Sequence, residues 1–462
     1  MINNTLILSK TNFWKLLLLV SAGAIIGLIV SKENVLFLAL LLGLAFFTFF
    51  VKSPELPLAI LFNGTFIYFY SVYKLGLETS SLMTGSFYAF LAISFLLGGI
   101  LLIAKRPQKF KLGAIDVLFI CFFFLLFLSY FMFHTGSESA YRKIMYAPLL
   151  VIAPYFGVRF LISEERIKKF FNYCVLVAAI LITPAFYELL FNPIFAGAGR
   201  FSMYMFPERG DNPILFGITF AMLLIILFVW MLEQRKLKFK YLILMVPSMF
   251  LLLRSGSRGA LISFLVAILF YILIMGRLRL KTKFYAVVFV ALLILGAYKF
   301  ISESTREFYQ YTFTPEARLT EVSSVYQRIT LWQGAINDFK ENPILGVGVG
   351  NSVAGIGFPH NILLEVSAEL GILGLFIFLS MCYLTIKKAM RFIKREEKHE
   401  LNLLMKLSLI LFVYSLTEAM FSGYITNQTK LFMSMGLVVS VVSLTKLKAN
   451  NQRRDIERKR AL

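Results

Sequence analysis

The chain is a succession of apolar runs cut by short loops dense in lysine and arginine. Few folds are open to such a pattern. Backbone inside hydrocarbon must satisfy its own hydrogen bonds, so uninterrupted apolar runs of about 20 residues demand spanning helices. Composition agrees, since 59% of residues are hydrophobic and only 16% are charged. A soluble chain of this length could not hide so much apolar surface. The expected fold is an all-α polytopic membrane protein of about 12–14 transmembrane helices, with one large extracytoplasmic loop that contains short helices. Candidate spans are 13–31, 35–51, 56–73, 82–104, 114–133, 144–161, 170–191, 213–232, 241–253, 260–276, 284–301, 362–386, 403–421 and 430–447. The first follows Lys10 and Lys15 and contains the small-residue stretch 21–24, but its apolar run continues, so it reads as an uncleaved helix.

The net charge of +22 points to orientation rather than to nucleic acid, because the bases sit in short loops. Loops 105–111, 164–169, 233–240, 277–283, 387–398 and the tail 453–460 are strongly basic. Excess Lys and Arg mark cytoplasmic loops, which places both termini in the cytoplasm. The other side receives 134–143, 192–212, 254–259 and a long loop from about 302 to 360, where Arg306, Arg318, Arg328 and Lys340 stand against six acids. The chain then divides into N-terminal helices (1–191), central helices with an arginine-rich turn (192–301), the outer loop (302–360), C-terminal helices (361–447) and a basic tail (448–462). Loops as long as 302–360 are usually functional. Part of it, SVYQRITLWQGAINDFKEN, reads as a helix with Val325, Ile329, Trp332 and Ile336 on one stripe, ended by Asn342-Pro343. GVGVGN (346–351) lacks the Lys-Ser/Thr of a phosphate loop and reads as a turn returning the chain to His360.

Several polar groups need explaining. His360 and Asn361 open the 362–386 run, and Glu365 and Glu369 follow on its first turns. Asn361 suits a helix N-cap, and the two glutamates, four apart, share its face. His360 is either an interfacial residue or a general base, since imidazole titrates near neutrality. The glutamates either pair with arginines between helices or support the histidine. Arg254 and Arg258, in LLLRSGSRGA, stand on the outer side against the charge trend. They either snorkel from a tight hairpin or capture an anion through the guanidinium fork. Arg328 on the outer helix and Arg209 in FPERGDNP are further candidates. Cys121, Cys174 and Cys382 lie apart in apolar segments, and His134 and His399 are isolated. No disulfide framework, metal site or cofactor is expected.

SGSRGA (255–260), RITLWQGAINDFKENPILGVGVGN (328–351), and His-Asn followed after nine residues by Gly-Ile-Leu-Gly (360–374) resemble the bacterial O-antigen ligase and polymerase family. The resemblance implies a metal-independent glycosyltransferase in the bacterial cytoplasmic membrane, working at its outer face. The donor would be a glycan on undecaprenyl pyrophosphate, and the acceptor lipid A–core or another glycan. His360 then takes the place of the family's essential histidine, and Arg258 and Arg328 of its essential arginines. Arg254 and Arg209 become further donor pyrophosphate ligands, and Asn361, Glu365 and Glu369 supporting residues. Ligase, repeat-unit polymerase and protein O-oligosaccharyltransferase share these motifs. The rival from another class is a polysaccharide or lipid transporter, whose charged sites would lie near the membrane midplane. A structural membrane scaffold would leave the paired outer arginines unexplained.

Overall fold

A computed structural model describes residues 35–76, 81–104, 111–133, 135–192, 200–203, 212–233, 239–275, 280–299, 324–353 and 358–461, all helix, turn or loop without a strand. The helices in chain order are α1 Val35–Lys52, α2 Glu55–Asn63, α3 Thr65–Lys74, α4 Ser81–Ala104, α5 Ala114–Phe133, α6 Glu138–Ala147, α7 Ala153–Arg159, α8 Glu164–Ile180 and α9 Ile182–Phe191. They continue with α10 Pro213–Glu233, α11 Phe239–Arg254, α12 Arg258–Phe270, α13 Leu280–Lys299, α14 Ser324–Glu341, α15 Ile362–Arg395, α16 His399–Glu418 and α17 Thr429–Ala461.

The all-helical, multi-pass class stands. Seven described segments are long and apolar enough to cross a membrane: Met83–Ala104, Ala114–Phe133, Glu164–Phe191, Pro213–Glu233, Arg258–Met275, Ile362–Arg395 and His399–Glu418. The tally rises to eight with a bent pair, Gly43–Lys52 and Glu55–Asn63, which meet at 103°. Runs 35–51 and 56–73, expected as two straight spans, are therefore three helices with a sharp bend. Pro54 at the bend has no N–H to continue the ladder and restricts the residue before it. Tyr241–Arg254, Lys283–Leu292 and Thr429–Thr445 are apolar but shorter. The 144–161 run is made of the end of α6, a π-helical turn at Pro148–Ile152, and α7. Run 13–31 lies outside the described residues.

Helix α10 is buried nearly all round, as expected for a helix apolar on every face, and α12 and α16 pack on it. At the end of the bundle where α5 begins and α15 finishes, buried charges are matched. Asp116 accepts from Arg159 Nε at 2.7 Å and from the Tyr155 hydroxyl at 2.8 Å. Lys406 donates to Glu233 at 2.6 Å.

Helix α15 is opened at Gly371, whose φ of 61° and ψ of −162° lie outside helical geometry. The break frees carbonyls, and the glycine-rich loop uses them: Val347 N–H donates to Ala368 O at 2.9 Å and Gly348 N–H to Glu369 O at 3.2 Å. A Cβ on Gly346 (φ +73°) would come within 2.4 Å of the Glu369 carbonyl carbon, so only glycine allows this approach. The loop turns back as expected, but it docks on the α15 break as well as leading toward His360. Asp338 closes it, accepting from Ser352 Oγ at 2.8 Å and Val353 N–H at 2.7 Å. Helix α14 forms where its pattern predicts, but in a different phase. Leu331 and Ala335 are buried against Val353 and Ala368, whereas Ile329 and Ile336 are exposed.

Candidate functional site at the mouth of α15

The Leu331–Ala335 face also carries Arg328 and Trp332, three and four residues apart on the helix. Trp332 Nε1 donates to Pro359 O at 2.7 Å, which fastens α14 to the residue before His360. Asn361 caps α15, accepting from Leu363 N–H at 3.0 Å and Leu364 N–H at 3.2 Å. His360 is held between these anchors with φ +52°. Left-handed backbone costs a non-glycine residue about 1–2 kcal/mol and tends to persist where function requires it.

The imidazole lies 4.3 Å from the Phe358 ring, and Phe358 meets Tyr424 at 5.1 Å. Its Nδ1 is buried with no hydrogen-bond partner among the described residues. Burial first, and the charge of Arg328 second, depress its pKa to about 4. Arg328 is itself pushed below the usual arginine range by burial, then by Arg258 and Arg200. Each perturbation requires proximity, so His360, Arg328, Arg258 and Arg200 share one neighbourhood.

Arg258 is the first residue of α12, behind an N-cap in which Ser257 Oγ accepts from Ala260 N–H at 3.4 Å. Arg254 is buried beneath that turn at 1% exposure. Its carbonyl accepts from Phe201 N–H at 3.0 Å, which brings the segment carrying Arg200 onto the turn. Arg209 lies outside the described residues.

The glutamates go elsewhere. Glu365 and Glu369 both accept from the buried Lys143 Nζ. Glu365 also accepts from Ile425 N–H at 2.9 Å. This carboxylate ties α15 to α6 and to the 425–427 turn, and no hydrogen bond joins it to His360. The expectation that the glutamates hold helices together describes this geometry, except that their partner is a lysine. Sequence reasoning missed Lys143, which follows exposed polar residues, and Arg200, a lone base in a mixed loop. It also passed over Glu418 and Lys430, whose signal was a charge at the edge of an apolar run.

Chemically, the mouth offers three guanidinium groups and a neutral imidazole on a fixed frame. Residues 242–379 match the O-antigen ligase family, Wzy_C. No curated protein matches the chain. The O-antigen ligase segment runs from α11 into α15 and contains Arg254, Arg258, Arg328 and His360, while Arg200, Lys143, Glu418 and Lys430 lie outside it. This family carries O-antigen ligase/polymerase-type glycan transfer on lipid-linked glycan substrates.

Proposed function

We propose that the protein transfers a glycan from undecaprenyl pyrophosphate to an acceptor hydroxyl, in the manner of an O-antigen ligase, at the outer face of the cytoplasmic membrane. The observation that carries the reading is that Arg200 and Arg258 act on Arg328, whose charge in turn acts on His360. Guanidinium matches phosphate oxygens in bidentate fashion, so neighbouring arginines suit a pyrophosphate. The N-terminus of α12, where Arg258 sits, adds a partial positive charge to the same place.

In this reading the donor's polyprenyl tail lies among the helices and its pyrophosphate rests on the arginines. The acceptor hydroxyl attacks the anomeric carbon, its oxygen forming the new glycosidic bond. The bond from that carbon to the phosphate oxygen breaks, its electron pair leaves with undecaprenyl pyrophosphate, and the hydroxyl proton passes to His360. Arginines aimed at the leaving group stabilise charge that grows in the transition state. Bound pyrophosphate also offsets the Arg328 charge, which restores basicity to His360 when the donor is present. Polar groups clustered at one mouth, rather than along a path through the bundle, favour an enzyme over a transporter.

Binding of undecaprenyl pyrophosphate to the purified protein, followed by native mass spectrometry, tests this assignment. The wild type should bind it, and Arg328→Ala and Arg258→Ala should lose at least tenfold in affinity. Equal binding by all three proteins would remove the arginines from the donor site.

A further inference from the structure

We propose that the cavity onto which His360 opens is the acceptor-sugar subsite, and that Glu418 and Lys430 bind the hydroxyls of an acceptor ring without net charge. The inference rests on the glycan-transfer reading above, and adds where the acceptor sits and what kind of ring it is.

The cavity holds about 330 Å³, and His360, Glu418 and Lys430 are on its wall. That is at the low end of the roughly 300–1,000 Å³ typical of ligand pockets. Glu418 closes α16 at 7% exposure, and Lys430 is the second residue of α17. Charges at such positions are costly and normally paired or functional. Elsewhere in this bundle they are paired, as in Asp116–Arg159 and Glu233–Lys406. Glu418 instead accepts from the Ser422 hydroxyl, and among the described residues it and Lys430 act on each other through their charges without a contact ion pair. A carboxylate and an ammonium thus face one cavity as a loose pair, open to hydroxyls between them.

The remaining wall suits a polyol. Asn212, Asn427 and Gln428 bring side-chain amides, and Tyr88 and Tyr424 bring amphipathic rings. An amide both donates and accepts, so it can serve a hydroxyl in either sense. An aromatic face covers the apolar C–H side of a ring while its hydroxyl stays available.

Charge separates this cavity from the arginines. One acid and one base give no net attraction for a polyanion, and none of Arg200, Arg258 and Arg328 lines it. His360 belongs to both, because Arg328 acts on it and the cavity opens on it. Displacement at the anomeric carbon requires the nucleophile and the leaving group on different sides of the reacting centre. A base between a cationic site and a neutral, hydroxyl-seeking cavity meets that requirement, with the pyrophosphate on the first and the acceptor in the second.

The test uses the full chain in lipid nanodiscs, free of sugar-headed detergent. Saturation-transfer NMR with methyl glucoside, methyl N-acetylglucosaminide and methyl glucuronide reads the cavity, and native mass spectrometry with undecaprenyl pyrophosphate reads the donor site. The neutral glycosides should bind the wild type in preference to the glucuronide. Glu418→Gln, and Leu215→Trp as a space-filling variant, should weaken them at least tenfold, with thermal unfolding confirming that each variant is folded. Undecaprenyl pyrophosphate binding should survive in both variants. Absence of glycoside binding to the wild type, binding indifferent to both substitutions, or loss of undecaprenyl pyrophosphate in Glu418→Gln would overturn the acceptor assignment. Failure of the wild type to bind undecaprenyl pyrophosphate would strike the transfer reading instead.

Discussion

Two basic sites flank the first turns of α15, and they treat charge in opposite ways. On one side Lys143, at 2% exposure, is answered by Glu365 and Glu369. On the other, the charges acting on Arg328 are two more arginines. The first site satisfies itself and joins α6 to α15. The second brings like charges near one another beside a histidine whose pKa is depressed. In the proposed reading, the contrast separates a buried polar group that holds the fold from one that meets a ligand.

The largest effect should come from breaking the satisfied site. Lys143→Met leaves two carboxylates buried together, and removing one side of such a pair typically costs about 3–5 kcal/mol. Thermal unfolding in nanodiscs should show a marked loss, largely recovered when Glu365→Gln and Glu369→Gln are added. A stable but inactive Lys143→Met would move the triad from scaffold to active site and erase the comparison. Next comes the arginine site. Arg328→Ala should lower turnover by about 10²–10³-fold, on the scale of a lost oxyanion donor, without loss of thermal stability. Arg258→Lys keeps the charge but not the fork and should fall by a comparable factor in the same assay.

The pH profile sharpens the contrast further. A general base must be neutral, so activity is lost as pH falls through the folded pKa of His360. With that pKa at about 4 in the free protein, the acid limb of kcat/KM should lie well below the ordinary histidine range. The limb of kcat reports the donor complex and should lie at higher pH, because bound pyrophosphate offsets Arg328. Coincident limbs near pH 6.5, the usual value for histidine, would show that neither burial nor Arg328 acts on the imidazole. The smallest effect belongs to the cap. Asn361→Ala should cost about 0.5–2 kcal/mol of stability, read by the same unfolding experiment.

Much of this arrangement was legible before any coordinates. Apolar length marked α5, α10, α12, α15 and α16, and the outer helix and its Asn342-Pro343 end followed from pattern and breaker. His360 and Arg258 stand out because they are polar at the edges of apolar runs, and Arg328 because of its amphipathic helix and the motif it opens. The Lys143–Glu365–Glu369 triad was not legible, since Lys143 is 222 residues from Glu365 in the chain and nothing local distinguishes it from the exposed Arg142. Arg200 is prominent only because Phe201 hydrogen-bonds the Arg254 turn. The break after Lys52 coincides with Ser-Pro-Glu-Leu-Pro (53–57), whereas the 103° bend and the second break at Gly64 leave no mark in the apolar pattern. Helix-stripe phase is set by what lies beneath, which is why Leu331 and Ala335, rather than Ile329 and Ile336, face the bundle.

The most direct test of the central claim is genetic. The gene is deleted in its host and complemented with wild type or His360→Ala, and the surface glycans are run on a gel beside the pool carried on undecaprenyl pyrophosphate. The account predicts that His360→Ala, expressed at the wild-type level, fails to complement. Polymer would then be missing from its final acceptor and accumulate on the lipid carrier for a ligase, whereas the ladder would collapse to one repeat for a polymerase. A normal ladder from His360→Ala at that level would contradict the account, because the mouth of α15 would not be where the glycan leaves its carrier.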